Sequence, residues 1–196
     1  MVLLVFAVLV IIGGIGAAKL SKKGWIVGAA AALAVVFAAL SCVRTVPAGH
    51  TGVVTTFGRV ENYTLDSGAH MVAPWRTVVV MDNRVQKHSL ELPCFSSDIQ
   101  EVKIKYTVNY QINKQNAQVI YSTIGVKYYD TVMVPKIQEA VKGIFAKYSA
   151  EKLIESRGNL AREIEAVLVN DLAKYDIEVV TTSLEDIDFT DAFTNA

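Results

Sequence analysis

The residues of this 196-residue chain best suited to chemistry are three histidines, two cysteines and a short acidic run. His50, His70 and His88 stand 20 and 18 residues apart, in stretches that read as strand or turn. Zinc sites use His and Cys at close, patterned spacings, and no such pair occurs, so solvent-exposed histidines are expected. Cys94 sits in "LPCFSS", with no adjacent cation to lower its pKa and make it a nucleophile. Glu185, Asp186, Asp188 and Asp191 are the densest acidic group. A strand puts Asp186 and Asp188 on one face, but the spacing of a calcium loop is absent and a solvated edge is expected. "PAGHTGVVTTFG" (47–58) is rich in glycine yet lacks the Gly-Lys-Ser/Thr ending that would hold phosphate and Mg²⁺. No Gly-x-Ser-x-Gly elbow occurs either. Asn62-Tyr63-Thr64 is a formal glycosylation sequon. These residues favour no enzyme.

The elements that would position them begin with two apolar runs. Residues 2–18 are 17 without a charge, and residues 24–43 are 20. A helix needs about 20 apolar residues to cross the hydrocarbon core. The two runs therefore predict a membrane anchor over 1–43, in the form of a two-span hairpin. Lys19, Lys22 and Lys23 are its only charges, and lysine-rich short loops stay on the cytoplasmic side. Whether one run spans or two, the remainder emerges on the outer face: periplasm, cell surface or an equivalent space. A third arrangement is a lipoprotein signal ending at Cys42, against which stands Ala39 where leucine is usual. With so few cysteines a disulfide framework is not expected. Residues 44–196 carry 16 basic against 19 acidic side chains, without the basic patch of a nucleic-acid binder.

Residues 46–75 read as short strands and tight turns, and 77–83 as a further strand. Residues 101–112 alternate strictly, Val102, Ile104, Tyr106, Val108, Tyr110 and Ile112 against polar partners, which predicts a half-buried strand. Helices follow: 116–125 from an Asn116 cap to Gly125, a stretch from 130 with Pro135 near its first turn, one capped by Ser149, and 159–175 with Leu160, Ile164, Val167, Leu168 and Leu172 on one face. Residues 176–189 return to strand. The order predicts an α+β fold, a sheet that is antiparallel or mixed with helices on one side.

An anchor followed by "VPAGHTGVVTTFGRV", "DSGAHMVAPW", "DNRVQ", "YSTIGVKYYDTVMVPKIQEAVKGIFAKYSAEKLIESRGNLAREI" and "DIEVVTTSLEDIDF" resembles the prohibitin branch of the stomatin–prohibitin–flotillin (SPFH, or Band 7) family. The resemblance implies a membrane-proximal β-rich subdomain over 44–92 and a second SPFH subdomain over 93–196, with no catalytic site and no cofactor. It implies a scaffold subunit that assembles with itself or a paralogue into a ring or cage, bounds a membrane microdomain, organises lipids and regulates a membrane AAA+ protease. It also implies contact of the first subdomain with the bilayer, for which Trp25, Met71, Val72, Pro74 and Trp75 are the candidates. Lys103 and Lys105 against Glu185, Asp186 and Asp188 are candidate contacts between neighbouring subunits. Family members usually continue from "DIDF…AF" into a long helix, and this sequence reaches Ala196 where that helix is expected. The rival expectation is an adaptor that holds one membrane protease or transporter without a cage.

Overall fold

The computed structural model describes residues 39–189, together with 32, 35 and 36. The spans expected over 2–18 and 24–43 lie almost wholly outside the described residues. Among the described residues, no helix is long and apolar enough to cross a membrane. The chain divides into two units, one up to Val80 and one from Met81.

In the first unit β1 (Val43–Val46) pairs antiparallel with β4 (Gly68–Met71), in the register Val43↔Met71 and Arg44↔His70. A separate sheet has the order β3 (Arg59–Leu65), β2 (His50–Thr56), β5 (Arg76–Asp82), with β5 reaching the boundary between the units. The run Thr51–Thr55 at the centre of this sheet is buried on both faces. Gly52 is required there. A Cβ would come within 2.8 Å of Val78 Cγ1 and 2.9 Å of Val46 Cγ2, too close for any side chain.

The second unit is built on β7 (Glu101–Ile112), the strand predicted from the alternation. Its six alternate apolar residues are all nearly inaccessible. β6 (Gln86–Phe95) pairs along one edge and β8 (Ile177–Phe189) along the other, both antiparallel. Because β6 pairs with β7 over its full length, residues 86–92 belong with the second unit, and the division falls at 80/81 instead of the expected 92/93.

Helices cover the apolar face. α1 (Ala117–Thr123) ends at Gly125, whose φ of +94° lets its N–H close onto the Ile120 carbonyl, as a glycine C-cap should. The expected Asn116 cap is not made. Its side chain bonds Asp176 at 2.6 Å, and Asn113 instead accepts the Gln115 N–H, capping the short 3₁₀ turn Lys114–Asn116. α2 (Val134–Phe145) carries Pro135 in its first turn. A wide π-helical turn, Tyr129–Met133, precedes it, and Val134 bonds back five residues to Tyr129. A regular turn would drive the proline ring into the carbonyl four residues earlier, and the widened turn relieves that clash.

α3 (Ala150–Glu155) starts after Ser149, but the hydroxyl does not cap it. Asp98, from the β6–β7 turn, accepts the Ala150 N–H at 3.1 Å, while Ser97 donates to the Tyr148 carbonyl. A long-range carboxylate has replaced the local cap. α4 (Arg157–Ala173) packs on β8 and α2 through Leu160, Ile164, Leu168 and Leu172, all fully buried. Val167, expected on this stripe, is 37% exposed, because the buried face here is one residue wide at a strict four-residue step.

This contrast is measurable. Leu168→Ala should destabilise the fold by about 2–5 kcal/mol, and Val167→Ala by no more than about 0.5 kcal/mol. Urea unfolding of the detergent-solubilised chain reads both, and equal losses would contradict the packing.

Candidate membrane and assembly surfaces

At the open end of the β1–β4 ribbon, Val43 and Met71 face each other as a cross-strand pair, and Met71 is 79% exposed. The ribbon is held there by the Val72 N–H, which donates to the Cys42 carbonyl at 2.7 Å. The next four residues turn back sharply, Arg76 N–H bonding the Ala73 carbonyl at 2.9 Å, and leave Trp75 58% exposed. Of the turn residues named as bilayer candidates, Met71 and Trp75 are therefore accessible, Pro74 is half-buried, and Val72 is core at 5% exposure. Trp25 lies outside the described residues. Val35, Val36 and Leu40, just before the ribbon, are also exposed.

Sequence reasoning passed over Phe57. It is 88% exposed at the tip of the β2–β3 hairpin, with φ +50° at Phe57 and +87° at Gly58. Two positive φ values make a type I′ turn, which favours Asn or Asp at the first position. A phenylalanine held there costs about 1–2 kcal/mol of backbone strain. The available signal was "TFGR", an aromatic-glycine pair between two strand-like runs.

On the polar face of the second unit, Lys103 lies opposite Asp188 and Lys105 opposite Asp186 in the β7–β8 register. Glu185 is the extra residue of a bulge in β8. Its carboxylate accepts from Thr107 Oγ1 at 2.6 Å and pairs with Lys105 Nζ at 3.1 Å, and Ser89 joins Thr107 at 2.6 Å. Lys105 and Glu185 thus pair within one chain, with Lys103, Asp186 and Asp188 beside them on the same two strands. The Thr107 hydroxyl first, and then the Lys105 ammonium, hold the Glu185 carboxyl below its ordinary value, while Glu185 raises Lys105.

The histidines are half-buried, not simply solvent-exposed as expected. His50 Nδ1 bonds the Ala48 carbonyl, and His70 Nε2 the Asp66 carbonyl at 2.7 Å. His88 stacks on Tyr129 with ring centroids 3.9 Å apart and leans on Tyr110, a tertiary arrangement no spacing could announce. Cys94 is buried, and burial pushes its thiol up to about 11, so it stays protonated near neutrality and is a poor nucleophile. Among the described residues, no group of three or more His, Cys, Asp or Glu side chains could hold a metal ion.

Among the described residues the first unit is built of strands and leaves Phe57, Met71 and Trp75 exposed, while the second packs helices on a sheet and pairs Lys105 with Glu185 internally. The chain belongs to the SPFH domain / Band 7 family, whose family model matches residues 44–196. Its relatives are prohibitins. It is 29% identical over 165 residues to the mitochondrial prohibitin-2 of Arabidopsis thaliana, covering 82% of this chain and 57% of that protein. It is 29% identical over 153 residues to prohibitin-2 of Dictyostelium discoideum, covering 77% and 52%. To prohibitin-2 of Saccharomyces cerevisiae it is 28% identical over 153 residues, covering 77% and 49%. The chain thus spans about half the length of these curated relatives.

The Glu185 pair gives a pH prediction. A carboxyl held below its ordinary 4.5 contributes stability that is fully present above that value and is lost as pH falls through the lower, folded value. Glu185→Gln should therefore lower the urea midpoint near neutrality, and the difference between the two chains should shrink as pH falls through the lowered Glu185 value.

Proposed function

We propose that this chain is a non-enzymatic subunit of a membrane scaffold, which assembles with itself or a paralogue into a ring or cage bounding a patch of bilayer. The soluble units stand on the outer face, as the three lysines between the apolar runs favour. Met71, Trp75 and Trp25 rest against the lipid, with Pro74 and buried Val72 shaping the turn. A membrane AAA+ protease is the client that such an enclosure restrains.

The observation that carries this reading is the exposed Val43–Met71 pair at the end of the 24–43 apolar run, with Trp75 beside it in the same turn. Aromatic and long apolar side chains left in water at that position are stabilised by the membrane interface. Family membership and the prohibitin relatives support the scaffold assignment. Neighbours around a ring meet through heterologous, head-to-tail surfaces. The polar sheet face bearing Lys103, Lys105, Asp186 and Asp188 is one such surface. The internal Lys105–Glu185 pair would be re-partnered between subunits.

The native mass after gentle detergent extraction, with co-purifying proteins identified, tests the proposal. A megadalton-scale particle containing a membrane protease is expected. A monomer or dimer bound to a single partner would replace the scaffold with an adaptor.

A further inference from the structure

The charges of the two units are handled differently. In the second unit charges are held in ion pairs, among them Arg84–Asp82, Lys105–Glu185, Lys136–Glu139, Lys147–Glu163 and Lys174–Asp171. In the first unit, residues 44–80 hold three arginines against only Glu61 and Asp66. None of these arginines pairs with a carboxylate among the described residues. Glu61 accepts from Thr56 Oγ1 at 2.7 Å, and Arg76 spends Nη1 on the Tyr63 hydroxyl at 2.8 Å.

Each arginine also stands beside an exposed apolar residue: Arg44 follows Val43, Arg76 follows Trp75, and Arg59 is two positions after Phe57. These neighbours share one end of the unit. Val43 pairs with Met71 and Arg44 with His70, and the Ala73–Arg76 turn follows directly. The β2–β3 tip is brought there by the β2–β5 pairing. Thr55 Oγ1 donates to the Thr77 carbonyl at 3.3 Å, while Gly52 faces Val78. Only an antiparallel alignment satisfies both contacts, and it sends Phe57 toward Trp75.

We infer that this end of the first unit binds the headgroups of anionic phospholipids, with Arg44, Arg59 and Arg76 engaging the phosphates and Val43, Phe57, Met71 and Trp75 entering the acyl boundary. The inference rests on the bilayer contact proposed above and adds which lipids gather there. Arginine presents a rigid fork matched to phosphate, and its stem lies along apolar surface while the head stays at the polar level. Membrane phosphate is the external anion fitted to arginines that pair with no carboxylate among the described residues.

The full chain with Trp25→Phe, in vesicles of phosphatidylcholine and phosphatidylglycerol at a fixed ratio, reports through Trp75 alone. Bromine is placed on the acyl chains of one lipid or the other, and quenching is compared per mole. Phosphatidylglycerol should quench about fivefold more, the factor expected for roughly one basic residue at an anionic surface. Arg44→Gln/Arg59→Gln, which leaves the Arg76–Tyr63 bond in place, should bring the ratio toward parity, and the Lys versions should restore it. Equal quenching by both lipids in the parent would overturn headgroup selection and leave bilayer contact standing. No quenching by either lipid would remove the contact itself, and the inference with it. A preference unchanged in the Gln variant would also overturn the assignment to these arginines.

Discussion

Strand β7 is the constraint on which the second unit depends. It is hydrogen-bonded along both edges and buried over the whole of one face, so β6, β8, α2 and α4 are each placed by contact with it or with its direct neighbours. The opposite face is polar, but it is not simply wet. Thr107 is 3% exposed under Ser89 and the bulged Glu185, and its hydroxyl links the two outer strands. One strand therefore carries an apolar core and a hydrogen-bonded polar seam back to back. The period of two separates them cleanly.

The first unit follows a different logic. It is small, with two short sheets, and its best-buried segment is the centre of β2. Its arginines pair with no carboxylate among the described residues, and Val43, Phe57, Met71 and Trp75 are left exposed. A protein that meets a bilayer there can leave such groups unsatisfied by its own chain, because headgroups and acyl carbons supply the missing partners. The second unit, with a surplus of acidic residues, instead holds cations in ion pairs such as Lys105–Glu185 and Lys147–Glu163.

Much of this was legible in the sequence because periodicity is local. The alternation over 101–112 gave the bounds of β7, and the apolar stripe of 159–175 identified the packed face of α4 in all but Val167. Met71 and Trp75 could be singled out because large apolar residues in a Gly- and Pro-bounded turn are conspicuous. What escaped depends on residues far apart. Asp98 caps α3 across 52 positions, where Ser149 alone was visible. The unit boundary moved because β6 pairs forward with β7, and no composition shift marks that choice. Phe57 was hidden among strand-forming neighbours, since its exposure follows from a turn type. The stacking of His88 on Tyr129 joins residues 41 positions apart.

The bulges of β8 have a consequence for the membrane scaffold proposed above. Thirteen residues of β8 run against eleven of β7, the surplus being Val180 and Glu185. Each surplus residue bends the strand and throws its outer row of amide and carbonyl groups out of step. A second chain sliding alongside would find the hydrogen-bonding grid broken within a few residues of any starting point. Confinement to two dimensions raises encounter frequency between copies, and a long, flat strand edge would then be a seed for fibrous stacking. The mismatch in strand length acts as a built-in stop, so crowding favours association through side-chain surfaces and disfavours backbone zippering.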